Sequence, residues 1–107
     1  DTGVIYTETA NNVCTFGEVY TTDGRIPALD LTLVQDTGIN IVYNVSATMR
    51  GETYDQAPDQ FEAIVAAILE PLDNDVMAEL NKRVSADGEE ASAVAKDFPV
   101  TNGIIAG

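Results

Sequence analysis

The chain has 107 residues, 18 of them acidic and 5 basic, so its formal net charge is −13. This balance argues against nucleic-acid binding, which rests on clustered Lys and Arg, and against an anionic membrane surface. The hydrophobic fraction of 45% predicts a folded chain, and the length fits one domain. There is no His, which removes the commonest general base, and the single Cys14 excludes an internal disulfide and a Cys-rich zinc site.

Alternation of apolar and polar residues dominates the first half of the chain. After a short helix predicted over 4–12, this alternation predicts a strand over 13–21. A turn follows at 22–25, where Asp-Gly is expected to supply a positive φ. A second half-buried strand is predicted over 29–34, and a third extended stretch over 39–49 has one apolar face.

The second half of the chain predicts three helices after a loop over 51–57. Apolar residues spaced at i, i+3, i+4 and i+7 support them, and Pro58 suits the start of the first. Asp73 is placed to cap the second helix, and Pro99 is expected to stop the third. The helices are predicted over about 58–71, 74–84 and 89–98. The predicted fold class is α/β, with a β-rich first half and a helical second half.

No catalytic apparatus is visible in the sequence. The Ser residues have no His to activate them, and the carboxylates on the helices lie on polar faces, as a solvated acidic surface requires. The segment 73–75 begins like a calcium loop but runs into the apolar pair Val76-Met77, so that motif fails. The sequence therefore predicts a protein that is not an enzyme and uses no metal or other cofactor.

The most distinctive segment is Tyr20–Ile26, which reads Tyr-Thr-Thr-Asp-Gly-Arg-Ile. It resembles the hinge signature of substrate-binding proteins of glycine betaine/choline-type ABC importers. Further pieces are similar to this family in the same order: Leu31–Asp36, Tyr43-Asn44, Arg50, Val76–Asn81 and Asp87-Gly88. The chain departs from the family at 39–42, where aromatic and proline residues are usual, and at Pro99, where the last helix usually continues.

The resemblance implies the C-terminal portion of a type II periplasmic-binding-protein-like fold. Such proteins have two lobes formed from discontinuous segments. Residues 1–22 are then expected to be the end of the second lobe and the first hinge strand. Residues 23–107 are expected to form the C-terminal part of the first lobe, with β segments to about residue 50 and then the three helices. The chain is accordingly expected to be a fragment of a longer protein.

The resemblance also implies a function. The family captures quaternary ammonium solutes in a cage of aromatic side chains, because ring faces attract a trimethylammonium group through cation–π contact. Two cage tyrosines fall on Tyr20 and Tyr43, while Thr21 and Asp23 are expected to shape the hinge or hydrate the ligand. The implied role is an extracytoplasmic component that delivers glycine betaine, choline or a related osmoprotectant to ABC permease subunits.

Alternatives remain open from the residues. Tyr20 and Tyr43 could simply pack, with their hydroxyls satisfied. The chain could also be a non-catalytic interaction module that has kept the fold, lost the ligand and pairs as a homodimer through an exposed β segment. Tyr6 and Tyr54 match no family position and are predicted to be structural. Arg25 is expected to pair with an acid.

Overall fold

The computed structural model describes residues 3–39 and 45–106. Over these two ranges the regular secondary structure is helical, with no strand. The helices are α1 (Gly3–Ala10), α2 (Arg25–Ala28), α3 (Gly51–Tyr54), α4 (Pro58–Leu69), α5 (Asn74–Ser85) and α6 (Ala91–Thr101). The predicted loop at 51–57 therefore begins with the single helical turn α3.

The helix predicted over 4–12 is confirmed as α1. Helix α1 ends at Ala10, and Asn12, two residues further on, adopts the left-handed conformation with a φ of 59°. The next N–H, that of Val13, donates to the Glu8 carbonyl at 2.9 Å and so satisfies a terminal helix acceptor. Helix α2 ends at Ala28 in the same way, and Asp30, two residues further on, has a φ of 53°. Both helices are therefore closed by local hydrogen bonds that turn the chain away.

Helices α4 and α5 confirm their predictions to within two residues. Pro58 is the first residue of α4, where its missing N–H leaves no helical bond unmade. The helix ends at Leu69, two residues before Pro71. Asp73 caps α5, because its Oδ1 accepts a hydrogen bond from the N–H of Val76 at 2.8 Å.

Helix α6 runs through Pro99, so the prediction that this residue stops the last helix is wrong. Proline lacks the N–H of one helical hydrogen bond and its ring crowds the carbonyl four residues earlier, but its φ is compatible with a helix, so a helix can continue past it at a cost in stability. The helix instead ends beside Gly103, at a φ of 67°, where the N–H of Ile104 donates to the Pro99 carbonyl at 2.8 Å. The prediction of 89–98 is thereby corrected to Ala91–Thr101.

The predicted strands differ most from the structure. Segments 13–21 and 29–34 form no strand, and neither does 45–49, the described part of the third extended stretch. Residues 40–44 of that stretch lie outside the described residues. Alternation indicates which residues suit a half-buried sheet, but a strand also needs a neighbour for its backbone hydrogen bonds. These segments have no such neighbour in the described parts of the chain, so the β half of the α/β prediction is not confirmed.

The predicted turn after Thr22 is present, but its backbone is not the expected one. Gly24 has a φ of −63°, so the positive φ predicted for Asp-Gly is wrong. Glycine is required there for a different reason: a Cβ would lie 2.6 Å from main-chain atoms of Asn81 and Lys82. Only a bare backbone lets this turn lie directly against α5.

The packed centre of the described structure is small. Its buried hydrophobic residues are Tyr6, Ile26, Ala78 and Val94, contributed by α1, α2, α5 and α6. Helix α6 is joined to α5 by Arg83, whose guanidinium donates to Asp97 at 2.8 Å and also to both oxygens of Glu89. The core thus lies between α1, α2, α5 and α6.

Several large apolar side chains stay in solvent. Phe16 is 77% exposed and Ile39 is 88% exposed. The radius of gyration is 17.0 Å, whereas a compact domain of this length has about 13 Å. The described residues therefore leave part of their own apolar surface uncovered.

Candidate functional site

The turn between the irregular segment after α1 and helix α2 carries most of the predicted site. The predicted residues it holds are Tyr20, Thr21 and Asp23. The N–H of Asp23 donates to the Tyr20 carbonyl at 3.0 Å and closes the turn. From α5, the side-chain amide of Asn81 donates to the Thr22 carbonyl at 2.6 Å. The fourth predicted residue, Tyr43, lies outside the described residues.

Tyr20 presents its side chain to solvent. It is 70% exposed, and the neighbouring Thr21 is also exposed. Packing within the described residues therefore does not account for this tyrosine. Its ring is available to a ligand or to another part of the protein.

Asp23 is engaged by Arg25. The guanidinium donates to both carboxylate oxygens, from Nε to Oδ1 at 2.9 Å and from Nη2 to Oδ2 at 2.6 Å. The same guanidinium lies over the ring of Tyr6, 4.0 Å from its centroid, and Tyr6 is only 1% exposed. We refer to Tyr6, Asp23 and Arg25 as the Tyr6 clasp. The prediction that Arg25 pairs with an acid is confirmed.

The clasp alters the acidity of its members. Hydrogen bonds from the Arg25 side chain are the main reason that the pKa of Asp23 falls from 3.8 to about 2. Burial raises the pKa of Tyr6, and the hydrogen bond that its hydroxyl donates to Asp23 raises this pKa further. Asp23 is therefore ionised at neutral pH, with its charge already matched by a guanidinium.

Two shallow pockets flank the turn. One, of about 210 Å³, is lined mainly by aliphatic side chains, with Thr21 and Asp75 as its polar members. The other, of about 250 Å³, contains Thr22 together with Asp73 and Asn74 from the start of α5. Among the described residues, no aromatic ring lines either pocket, so these residues alone do not offer the ring faces that a quaternary ammonium group prefers.

Sequence reasoning missed two contributors to this site. Tyr6 lies beneath Arg25 although it is distant in the chain, and Asn81 reaches the turn from α5. No local pattern marks either contact, because both depend on how separate helices pack. The one available signal was the acid–base spacing of Asp23 and Arg25, which predicts their pairing and nothing about Tyr6.

Comparison with known proteins bears on this turn. The family described as the substrate binding domain of the ABC-type glycine betaine transport system matches residues 1–99. The chain belongs to this family. Its members have a periplasmic-binding-protein-like fold and are substrate-binding domains of transport systems.

A curated relative agrees with the family assignment. The chain is 34% identical, over 99 residues, to a glycine-betaine-binding protein of Pseudomonas aeruginosa strain PAO1. That alignment covers 92% of this chain and 32% of the relative, so the chain spans about a third of its relative's length. No solved structure matches the chain significantly. Within the described residues, no helix combines the length and the apolar character needed to span a membrane.

Proposed function

We propose that this chain is part of the solute-binding component of an ABC importer and helps to capture glycine betaine, choline or a related quaternary ammonium osmoprotectant. The observation that carries the proposal is Tyr20, an exposed aromatic ring on a turn held rigidly from both sides. Membership of the glycine betaine family supports the same ligand class.

The chemistry of the ligand explains why an exposed tyrosine matters. A trimethylammonium group carries a positive charge but no N–H, so it cannot be held by ordinary hydrogen bonds. Ring faces attract it instead, by about 0.5–2 kcal/mol per ring depending on how much water is excluded. We propose Tyr20 as one ring of this cage and Tyr43 as a second. The net charge of −13 favours the approach of cations, while the rings select among them.

Thr21 and Asp23 have different proposed roles. The exposed Thr21 hydroxyl is free to contact the ligand or its hydration shell. Asp23, engaged by Arg25 through both carboxylate oxygens, shapes the turn. In the two-lobed arrangement, the hinge boundary between 1–22 and 23–107 falls within this turn. Closure of the lobes over the solute, outside the cytoplasm, would then present the loaded protein to ABC permease subunits.

Calorimetric titration of the full natural polypeptide with glycine betaine tests this proposal. Tyr20→Ala is expected to weaken binding roughly two- to thirtyfold, as the loss of about 0.5–2 kcal/mol implies, whereas Tyr20→Phe keeps a ring face and should stay close to wild type. Tyr54→Ala is the matched control, because this tyrosine donates to Glu62 of α4 and to no residue of the turn. The ligand analogue 3,3-dimethylbutyrate, which replaces the cationic nitrogen by carbon and keeps the carboxylate, should bind much more weakly.

Absence of heat at millimolar glycine betaine and choline would refute this function. A second candidate is then a non-catalytic interaction module that forms homodimers. Exposed apolar side chains such as Phe16 and Val34 favour it, since they need cover from another surface. Sedimentation velocity separates the two candidates: the second predicts a concentration-dependent dimer that glycine betaine does not alter.

A further inference from the structure

We infer that Tyr6 and Arg25, acting with Asp23 in the Tyr6 clasp, are positioning residues that set the direction in which Tyr20 offers its ring to the ligand. This inference rests on the proposed function and extends it to residues that do not touch the solute. It assigns a binding role to the buried Tyr6, which the sequence indicated only as structural.

The clasp acts on the main chain of Tyr20. Asp23 donates its own N–H to the Tyr20 carbonyl at 3.0 Å. The Asp23 carboxylate is held through both oxygens by Arg25, whose guanidinium lies over the Tyr6 ring. The backbone of Tyr20 is therefore held directly by Asp23, and Arg25 and Tyr6 hold Asp23 in turn, while the Tyr20 side chain remains 70% exposed.

The clasp is itself anchored on both sides. Tyr6 belongs to α1 and is 1% exposed, so its ring cannot move without opening the packed centre. Arg25 is the first residue of α2, and the preceding Gly24 lies against the α5 backbone. The stacking distance of 4.0 Å between the guanidinium and the Tyr6 ring joins these two anchors. Tyr20 is thus connected to three helices through a few residues.

Such anchoring matters because Tyr20 lies in a segment without regular secondary structure. A ring on an unrestrained segment points in many directions, and only a fraction of them suits the ligand. The apparent affinity falls by that fraction. Holding the backbone in advance removes this cost, which is the usual benefit of preorganisation.

Two variants in the full natural polypeptide test the inference. Asp23→Asn replaces one acceptor oxygen by an amide donor that opposes the Arg25 guanidinium, and so breaks the bidentate pair. Arg25→Lys keeps the positive charge but loses the planar guanidinium that holds both Asp23 oxygens and lies over the Tyr6 ring. Each is expected to raise the Kd for glycine betaine about tenfold, measured by calorimetry at a temperature where urea unfolding shows the protein folded.

Glu89→Gln is the matched control. Glu89 also receives a bidentate pair, from Arg83 at 2.7 and 2.8 Å, but this pair joins the end of α5 to the start of α6. Its loss should lower stability as Asp23→Asn does, yet leave the Kd within about twofold of wild type. If the clasp has a purely structural role, Asp23→Asn and Glu89→Gln should lower the free energy of unfolding equally, and neither variant should change the Kd.

The outcomes separate this inference from the function on which it rests. If the wild-type protein binds and both clasp variants keep its Kd, the positioning role is refuted while the proposed function stands. If the wild type does not bind, the proposed function fails and the inference fails with it. Should Asp23→Asn not fold, Arg25→Lys decides, because it keeps the charge at a side chain that is 38% exposed.

Discussion

Gly24→Ala is the sharpest test of how the site turn is held. The turn approaches α5 so closely that an added Cβ would lie 2.6 Å from the carbonyl carbon of Asn81 and from the Cα of Lys82. Optimal contacts between carbon atoms are about 3.5–4.0 Å, so the turn and the helix would have to separate by roughly 1 Å. These are main-chain atoms of a helix, so no side-chain rotation can relieve the clash.

The cost follows from the contacts that this separation breaks. Overpacking of a tight site costs about 1–3 kcal/mol when the surroundings can adjust. Here the adjustment also parts α2 from α5, where Ile26 and Ala78 are buried, and lengthens the 2.6 Å hydrogen bond from Asn81 to Thr22. We expect Gly24→Ala to lower the free energy of unfolding by about 3 kcal/mol, near the upper end of single substitutions.

Urea unfolding of the full natural polypeptide, followed by far-ultraviolet circular dichroism, measures this effect. Gly51→Ala is the matched control: it makes the same chemical change at the first residue of α3, where a Cβ meets nothing within 4 Å. That variant should equal the wild type or be more stable by up to about 1 kcal/mol. If Gly24→Ala unfolds within about 0.5 kcal/mol of wild type, the close approach of the turn to α5 is wrong.

Two further predictions concern α5 and the clasp. Asp73→Ala removes the acceptor for the Val76 N–H and should lower the free energy of unfolding in urea by about 1 kcal/mol. Asp73→Ser keeps a capping oxygen and should restore most of this stability. Equal stability of all three proteins would exclude a capping role. The pKa of Asp23 is about 2 in the folded protein and 3.8 ordinarily, so its stabilisation is present above about pH 4 and is lost as pH falls towards 2. Between about pH 4 and about pH 2 the free energy of unfolding of the wild type should therefore fall by roughly 2 kcal/mol more than that of Asp23→Asn. Identical dependence of stability on pH in the two proteins would contradict the pairing with Arg25.

The helices could be predicted because their signals are local. Apolar spacing, a proline at the first position of α4 and a capping aspartate before α5 each act within a few residues. The same local reasoning failed at Pro99, where it treated a residue that only removes one hydrogen bond as a stop. The end of α6 depends instead on Gly103, which adopts the left-handed conformation that closes the helix.

The first half could not be predicted in the same way. Leu29, Leu31 and Leu33 alternate with polar residues, as a half-buried strand would, yet they form no strand here. Sheet formation needs hydrogen-bonding partners that may be distant in sequence, and alternation contains no information about where those partners lie. The radius of gyration of 17.0 Å and the exposed Phe16 agree with a surface that is not covered within this chain.

The sequence by itself determined the family, through the Tyr20–Ile26 segment and the ordered matches around it, and with the family the class of ligand to test. It also determined the helical second half and the pairing of Arg25 with an acid, since these depend on neighbours along the chain. Only the tertiary structure decided that Gly24 lies against α5 and that Tyr6 lies beneath the Arg25 guanidinium. The physical reason is that these contacts join separate helices, whose mutual placement is set by packing and close approach.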